Sequence, residues 1–295
     1  MLAIGLFAII FGIRCTDNFL GKRFQLGFKF DFPRFVYYNL VNAVLSTIFY
    51  LFSVNFKLVF NLPTVLLPVI YAVTCFIGIT LGVVTLKYIT MPLNSVMSIS
   101  GSLIGSNALG YIVLNEKVTL LRILALAAVI LSVILPAREI LHGKYKLTKQ
   151  GVLCCIASFF SSMFSGVVSN LYLAFPNVDG KQYCTYTNIY LVVGCFIILM
   201  FYLISKKITV SGLLGLFKLG QITIIGSRSV MAFCSSLVTI YLLTLVPVSV
   251  HSIVAAALGM IATTIVSTVY YKEKLSVTQA FSLILLFFST AVCAL

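Results

Sequence analysis

The sequence predicts an all-α polytopic membrane protein with ten transmembrane helices. Hydrophobic residues make up 61% of its 295 residues and charged residues only 9%, and its mean hydropathy is +1.15. A soluble domain carries about 25% charged residues, so most of the surface of this chain must face lipid. The apolar residues also fall in runs of about 20, which is the length that an α-helix needs to cross the hydrocarbon layer.

Ten such runs follow one another along the chain. A chain in lipid satisfies its backbone hydrogen bonds either within helices or in a closed barrel, and runs this long and continuous favour helices. Their predicted limits are about 2–20, 35–54, 64–86, 92–114, 119–137, 151–175, 185–205, 220–245, 247–271 and 276–295. The first run is the least regular, because Arg14 and Asp17 interrupt it.

Residues that favour helix ends stand at several of these predicted boundaries. Pro92 and Pro247 occupy positions where a first helical turn tolerates a missing N–H. Thr119, Thr148 and Ser276 stand where N-cap residues are expected. These signals support the division into ten helices.

A charged turn occurs twice, first as "NEKVT" at residues 115–119 and then as "KEKLS" at residues 272–276. Pro92 precedes Glu116 by 24 residues (116 minus 92), and Pro247 precedes Glu273 by 26 (273 minus 247). One last apolar run follows each turn. The charged pair is therefore predicted to mark the turn between the fourth and fifth spans of each of two repeats.

The repeated turn divides the chain into two five-helix repeats, residues 1–141 and residues 142–295. Because five is an odd number, the second repeat enters the membrane from the opposite side to the first. Inverted repeats of this kind occur in many secondary transporters, and the sequence therefore indicates a transporter.

The arrangement resembles the drug/metabolite transporter superfamily, in particular its ten-helix EamA-type branch. The resemblance lies in the proline-led fourth span, the charged turn and the closing span, present twice, and it covers the whole chain. It implies alternating-access transport of small organic solutes through a central cavity. In that family, spans one, three and four of each half line the cavity and the fifth packs at the periphery. The first span departs from the family pattern, because it carries "GIRCTDN" at residues 12–18 where milder polar residues are usual.

Charged residues inside the spans are the first candidates for substrate binding, because a charge near the middle of a span costs about 2.5–3.5 kcal/mol on insertion scales. Arg14 and Asp17 are three residues apart and can pair with each other, although Arg14 could instead reach the headgroups. Arg228 lies about eight residues into the eighth span without a nearby acid in the sequence, and we interpret it as a cavity residue. His251 is one turn into the ninth span, where a packing role is the alternative.

Small and polar residues form a second set of candidates. Serines of the sixth span share one helical face, which indicates either a cavity wall or a packing face whose hydroxyls bond back to the helix. The predicted substrate-binding residues are Arg14, Asp17, Asn94, Ser98, Ser162, Ser165, Ser169, Asn170, Arg228 and His251. Residues predicted to pack helices closely are Gly101 and Gly105 of the fourth span, and Ala255 and Gly259 of the ninth, which share the spacing of a GxxxG motif.

The charges of the candidate site favour a particular class of solute. Arg14, Arg228 and His251 oppose Asp17 alone, which suits an anionic or zwitterionic metabolite such as an amino acid or an organic acid. Efflux of cationic or neutral drugs or nucleosides remains an alternative. An intramembrane enzyme, a lipid flippase and a scaffold remain alternatives of another class. We predict that the protein is not an enzyme, because Asp17 has no partner acid in another span and the sequence has no GxSxG motif.

The cysteine and charge patterns limit the partners. The eight cysteines are scattered without a CxxC motif, so we predict neither a metal site nor a cofactor. The net charge of +14 is distributed in short clusters between the spans, which is typical of anchoring to the cytoplasmic face rather than of nucleic-acid binding. The expected partners are the lipid bilayer and a small-molecule solute, with the chain acting as a monomer or a homodimer.

The basic clusters also bear on orientation in the membrane. We expect an integral multi-pass protein of the plasma or cytoplasmic membrane. Basic residues concentrate in the turns after the odd-numbered spans, which predicts that both termini face outward. The family resemblance instead implies that both termini face inward, and the sequence leaves this conflict open.

Overall fold

The chain is built from long α-helices. The computed structural model describes residues 2–26, 32–85, 91–141, 149–205, 219–272 and 277–294, and no strand occurs within these ranges. They contain ten α-helices of 18 to 25 residues. These are α1 Leu2–Leu26, α2 Phe32–Ser53, α3 Leu62–Thr85, α4 Met91–Ile112, α5 Leu120–Leu141, α6 Lys149–Ser169, α7 Gly180–Ile204, α8 Leu219–Leu242, α9 Val248–Ile265 and α10 Val277–Ala294. The all-helical prediction is confirmed.

Seven stretches in the described part of the chain are long and apolar enough to cross a membrane. They are Leu2–Gly21, Phe32–Ser53, Leu62–Gly82, Gln150–Ala174, Gly180–Ile204, Ile222–Leu242 and Val248–Tyr270. Helices α5 and α10 hold shorter apolar stretches, Ile123–Ser132 and Ala280–Ser289. Many large apolar side chains of these helices are exposed on the protein surface, including Ile4, Phe52 and Phe201. This is the surface of a membrane-embedded protein, whose solvent is lipid.

The helix ends differ from the predicted limits where hydropathy and helix formation diverge. Helix α1 continues to Leu26, past the basic pair at residues 22–23, because a polar residue ends an apolar run without ending a helix. Helix α7 begins at Gly180, five residues before its predicted start, for the same reason. Helix α9 stops at Ile265 and continues as a π-helical turn over Val266–Tyr270.

The chain separates into two compact units, and each unit contains helices from both halves of the sequence. The first unit comprises residues Met1–Cys15, Thr74–Ala174 and Tyr241–Leu295, and the second comprises Thr16–Val73 and Phe175–Ile240. The repeat boundary at residues 141 and 142 is a different kind of division, based on an internal repeat of the sequence, and it stays a prediction.

In the first unit, helix α4 packs against α6 on one side and against α9 on another, while α5 packs against α10. Apolar residues of α4, α5 and α9 form a buried cluster that includes Val96, Leu103, Ile253 and Met260. Helix α4 therefore lies at the centre of this unit.

Glycines allow α4 and α6 to approach each other closely. A Cβ built at Gly105 would overlap the backbone carbonyl of Met163, and one built at Gly101 would overlap that of Phe159. The contact is reciprocal, because a Cβ at Gly166 of α6 would overlap the backbone of Ser102. Backbone-to-backbone packing of this kind is typical of small-residue motifs in membranes.

In the second unit, helix α2 packs against α7, and the turn after α2 is bound to the start of α7. The amide of Gln182 donates to the carbonyl of Lys57 at 2.6 Å and accepts from the N–H of Val59 at 3.4 Å. The Tyr186 hydroxyl donates to the Val59 carbonyl at 3.2 Å. Tyr71 of α3 stacks on Tyr183 of α7 with ring centroids 5.6 Å apart. The hydrogen bonds of Gln182 and Tyr186 hold the segment 57–61 against α7, and the stacked tyrosines join α3 to the same helix.

The first charged turn caps a helix from the other half of the sequence. The carboxylate of Glu116 accepts hydrogen bonds from the backbone N–H groups of Val248, at 2.9 Å, and Ser249, at 3.3 Å, and from the Ser249 hydroxyl. Pro247, at the N-cap position of α9, makes no side-chain capping bond, so Glu116 satisfies N–H groups that a helix start leaves open. The equivalent pair, Glu273 and Lys274, lies outside the described residues.

We expect that Gly105→Ala destabilises the protein, because the added methyl group meets the Met163 backbone. The loss should be about 2 kcal/mol, a typical cost of overpacking, and a melting curve of the purified protein measures it. Gly194→Ala is the matched control, because a Cβ at Gly194 of α7 meets nothing within 4 Å. Equal melting temperatures for the two variants would contradict the close α4–α6 contact.

We also expect that Glu116→Ala lowers the free energy of unfolding by about 1–2 kcal/mol, the cost of losing a helix cap. The same melting assay measures this change. Asp179→Ala is the control, because Asp179 stands at the N-cap position of α7 and makes no side-chain capping bond there. The capping role of Glu116 is wrong if the control variant loses as much stability as Glu116→Ala.

Candidate functional site

A charged cluster within the second unit joins helices α1, α2 and α8. The Nε of Arg228 donates to Oδ1 of Asp17 at 2.7 Å, and Nη2 donates to Oδ2 of Asp17 at 3.2 Å. The remaining nitrogen, Nη1, donates to the hydroxyl oxygen of Tyr38 at 2.6 Å. This arrangement of two parallel bonds from a guanidinium to a carboxylate is a strong and geometrically specific ion pair. We call these three residues the charged cluster.

The charged cluster lies within the spans and is partly open. Arg228 is nine residues after the start of α8 at Leu219, which places it about 14 Å along the helix axis. The side chain of Arg228 is 27% exposed and that of Asp17 is 37% exposed, whereas Tyr38 is buried. A partly exposed charge pair at this depth is accessible to a polar ligand if its open side faces water.

Gly21 of α1 lies beside the guanidinium of Arg228. Gly21 is buried one turn after Asp17, and a Cβ built there would lie 3.3 Å from Cζ of Arg228 and 3.4 Å from Nη2. These distances are shorter than most real Cβ contacts. The absence of a side chain at Gly21 therefore leaves the space beside α1 that the guanidinium occupies.

The polar contacts between α2 and α8 continue beside the charged cluster. The hydroxyl of Ser229 lies 2.6 Å from Oδ1 of Asn42, and Ser229 is fully buried. One turn further, Phe233 of α8 packs against Phe49 and edge-on against Tyr50, with ring centroids 5.7 Å and 5.0 Å apart. The contact between α2 and α8 thus changes from charged to polar to aromatic along its length.

Two charged or titratable candidates, Arg14 and His251, lie in the first unit. His251 is buried, and its ring stacks on Phe7 of α1 with centroids 6.0 Å apart. Its Nε2 has no hydrogen-bond partner within the described part of the chain. The exposed Arg14 reaches Gly259 of α9, where a Cβ would meet its Nη1 at 3.5 Å. These contacts bring the first half of α1 against α9.

The small polar candidates fall along the contact of α4 with α6. Asn170 donates to Ser169 at 3.2 Å and lies 3.5 Å from the Ser106 hydroxyl. Ser169 donates back to the carbonyl of Gly166 at 3.1 Å, which fits the packing interpretation of the serine face. The remaining candidates, Ser98, Ser162, Ser165 and Asn94, are half-buried, and Oδ1 of Asn94 is buried without a hydrogen-bond partner among the described residues.

The structure brings Asp17 and Arg228 together, which the sequence did not indicate. The sequence allowed Asp17 to pair with Arg14, three residues away, and the structure shows its carboxylate paired with Arg228, 211 residues away. The sequence reasoning also missed Tyr38, Gly21 and Glu116. Tyr38 lies in the polar stretch "VYYN" at residues 36–39 of the second span, and the cost of polar groups in lipid was the signal that could have marked it.

Comparison with known proteins identifies the fold and leaves the family open. No protein-family model and no curated protein matches this sequence. A solved structure described only as "Crystal structure of protein" is similar, with a TM-score of 0.65 and 12% sequence identity over 98% of this chain and 96% of that chain. At this identity the likeness shows that the fold is shared, and nothing more.

We expect that Asp17→Asn lowers the free energy of unfolding by about 1–3 kcal/mol, because the guanidinium loses its charged partner. The double variant Asp17→Asn/Arg228→Met should regain at least half of that loss, since it removes the uncompensated charge as well. Melting curves of the purified variants measure both effects. A double variant less stable than Asp17→Asn would contradict the view that the two charges stabilise each other.

Proposed function

We propose that this protein is a secondary transporter that moves a small organic metabolite across a membrane by alternating access. In this proposal the chain is a ten-helix protein of the drug/metabolite transporter type, made of two inverted five-helix repeats. The proposal draws on the pattern of helix contacts, on one pair of equivalent helix surfaces and on the charged cluster.

The pattern of helix contacts is the one that a five-helix repeat requires. In two five-helix repeats, α1 to α5 are equivalent to α6 to α10 in the same order. The contact of α4 with α6 is then equivalent to that of α9 with α1, and the contact of α2 with α8 is equivalent to that of α7 with α3. The first unit contains both members of the former pair, and the second unit contains both members of the latter. The contacts α2–α7, α4–α9 and α5–α10 each join a helix to its equivalent in the other repeat. Each unit is therefore consistent with a twofold relation between the repeats.

The observation that carries alternating access is a difference between two equivalent surfaces of the first unit. Gly101 and Gly105 of α4 correspond to Ala255 and Gly259 of α9, with the same offset of 154 residues (255 minus 101 and 259 minus 105). The α4 surface meets the backbone of α6, whereas the atoms nearest to a Cβ at Gly259 belong to the side chains of Arg14 and Ile99. One copy of the contact is backbone against backbone, and the other is filled by side chains. Inverted repeats that exchange such roles open first one side of the membrane and then the other.

The charged cluster supports an anionic or zwitterionic solute. Charged residues inside spans mark substrate and ion pathways in membrane proteins, and a guanidinium recognises carboxylate groups through paired hydrogen bonds. Asp17 balances Arg228, so the site as a whole offers both signs of charge. Such a site suits a carboxylate solute or an amino acid, and a cationic drug has only the Asp17 carboxylate to bind.

Uptake into sealed vesicles that contain only this protein tests the proposal. We expect uptake of at least one labelled solute from a panel of amino acids, organic acids, nucleosides, sugars and organic cations, compared with protein-free vesicles. Gly259→Val should lower that uptake by at least about tenfold, because the larger side chain prevents α1 and α9 from closing. It should lower the melting temperature less than Gly105→Ala does, since the atoms nearest to a Cβ at Gly259 belong to side chains and not to a backbone.

Gly194→Val is the matched control, because its new side chain meets open space on α7, and we expect it to retain uptake. Vesicles that take up no solute would reject the transporter, and lipid scrambling by the same vesicles would favour a flippase instead. Full uptake by Gly259→Val would reject the exchange of the two helix contacts while leaving transport intact.

A further inference from the structure

The hydrogen bonds of the charged cluster already use the side of Arg228 that pairs best with a carboxylate. A guanidinium has five N–H donors in a fixed planar fork. The Nε and Nη2 edge carries Asp17, and Nη1 carries Tyr38. A Cβ built at Gly21 would lie within 3.5 Å of Cζ and both Nη nitrogens, so the guanidinium lies beside α1. A ligand carboxylate that takes the Nε and Nη2 pair must replace Asp17.

We propose that Asp17 is a built-in competitor for a carboxylate-binding site on Arg228, and that a carboxylate ligand binds there together with one proton, which Asp17 takes up. The inference rests on the proposed function, because it identifies Arg228 as the group that holds the solute. It adds the chemical class of the ligand, a small carboxylate, and the coupling ion, a proton.

The proton follows from the charge that displacement leaves behind. The titratable groups that interact with Asp17 from the helices packed against α1 include Arg228 of α8 and Tyr38 of α2. Once a ligand occupies Arg228, the Asp17 carboxylate has lost its counter-charge within a membrane-spanning helix. An isolated carboxylate in such surroundings becomes neutral by binding a proton instead of remaining charged.

The exchange balances in atoms and charge. Before it, the site holds the Asp17 carboxylate and the Arg228 guanidinium. After it, the site holds the Asp17 carboxylic acid, the guanidinium and the carboxylate of the ligand, with one proton taken from water. A monocarboxylate therefore crosses with its proton without net charge, whereas a zwitterionic amino acid crosses with one positive charge.

Tyr38 and Gly21 keep the guanidinium in place during the exchange. The hydroxyl oxygen of Tyr38 accepts from Nη1, on the side of the guanidinium that the ligand does not use. Gly21 and Asp17 are four residues apart on one face of α1. The guanidinium therefore stays against α1 while its carboxylate partner changes, and the arriving ligand meets a site that is already oriented.

Binding to the purified protein tests this inference directly. The probes are lactate, gluconate and L-alanine, titrated at pH 6 and pH 8 by calorimetry against the wild type, Asp17→Asn, Arg228→Met and the double variant. For the wild type we expect binding of at least one probe that is at least about fivefold weaker at pH 8, since uptake of one proton with the ligand raises the dissociation constant by up to about tenfold per pH unit.

The variants separate competition from a purely structural ion pair. The Asp17→Asn variant cannot take up the proton and no longer competes for Arg228. At pH 8 it should therefore bind the same probe more tightly than the wild type does. Its dissociation constants at pH 6 and pH 8 should agree within twofold. Adding the probe should also raise its melting temperature. Arg228→Met and the double variant should lose binding, and the melting temperature of the double variant shows whether that loss is one of folding.

Several results would overturn the inference. These are failure of all three probes to bind the wild type, a pH dependence that Asp17→Asn retains, or unchanged binding by a well-folded double variant. The vesicle assay distinguishes the two proposals. Uptake that is insensitive to a pH gradient would reject proton coupling but keep the transporter, whereas pH-dependent binding without uptake of any solute would keep the site and reject transport.

Discussion

A guanidinium within a membrane-spanning helix needs a counter-charge, and in this protein Asp17 supplies it to Arg228. The hydrogen bonds of this pair, together with those to Tyr38, connect α1, α2 and α8 within the second unit. The neighbouring contact of Asn42 with Ser229 and the aromatic packing around Phe233 extend the same helix pairing. The charged residues therefore hold together the helices that carry them. The same contacts form the candidate binding site and stabilise the fold of this unit.

The first unit depends on small residues instead of charges. Between lipid-facing helices there is no hydrophobic driving force, and close approach of the backbones takes its place. Helix α4 approaches the backbone of α6 closely at Gly101 and Gly105. On the side of α4 that faces α9, Asn107 lies 3.4 Å from Ser252. Glu116 then connects the end of α4 to the start of α9. Helix α4 is therefore the element through which a change at α6 can reach α9.

The sequence predicts the helices of this protein far better than it predicts the contacts of its site. Apolar runs report which segments face lipid, and all ten predicted spans correspond to helices in the described residues. The same signal cannot report where a polar helix end continues, as in α1 and α7. Nor can local spacing identify a partner 211 residues away, so the sequence offered Asp17 only its neighbour Arg14 as a partner. The glycine spacing was informative because GxxxG is a local pattern, but its backbone partner on α6 required the fold.

The distance along the chain between Asp17 and Arg228 has a consequence for biosynthesis. Ribosomes add about 5–20 residues per second, so the 211 residues that separate the pair take roughly 10–40 seconds to emerge. During that interval α1 carries a carboxylate whose eventual counter-charge does not yet exist. The ion pair that joins the second half of α1 to α8 can therefore form only after α8 has been made.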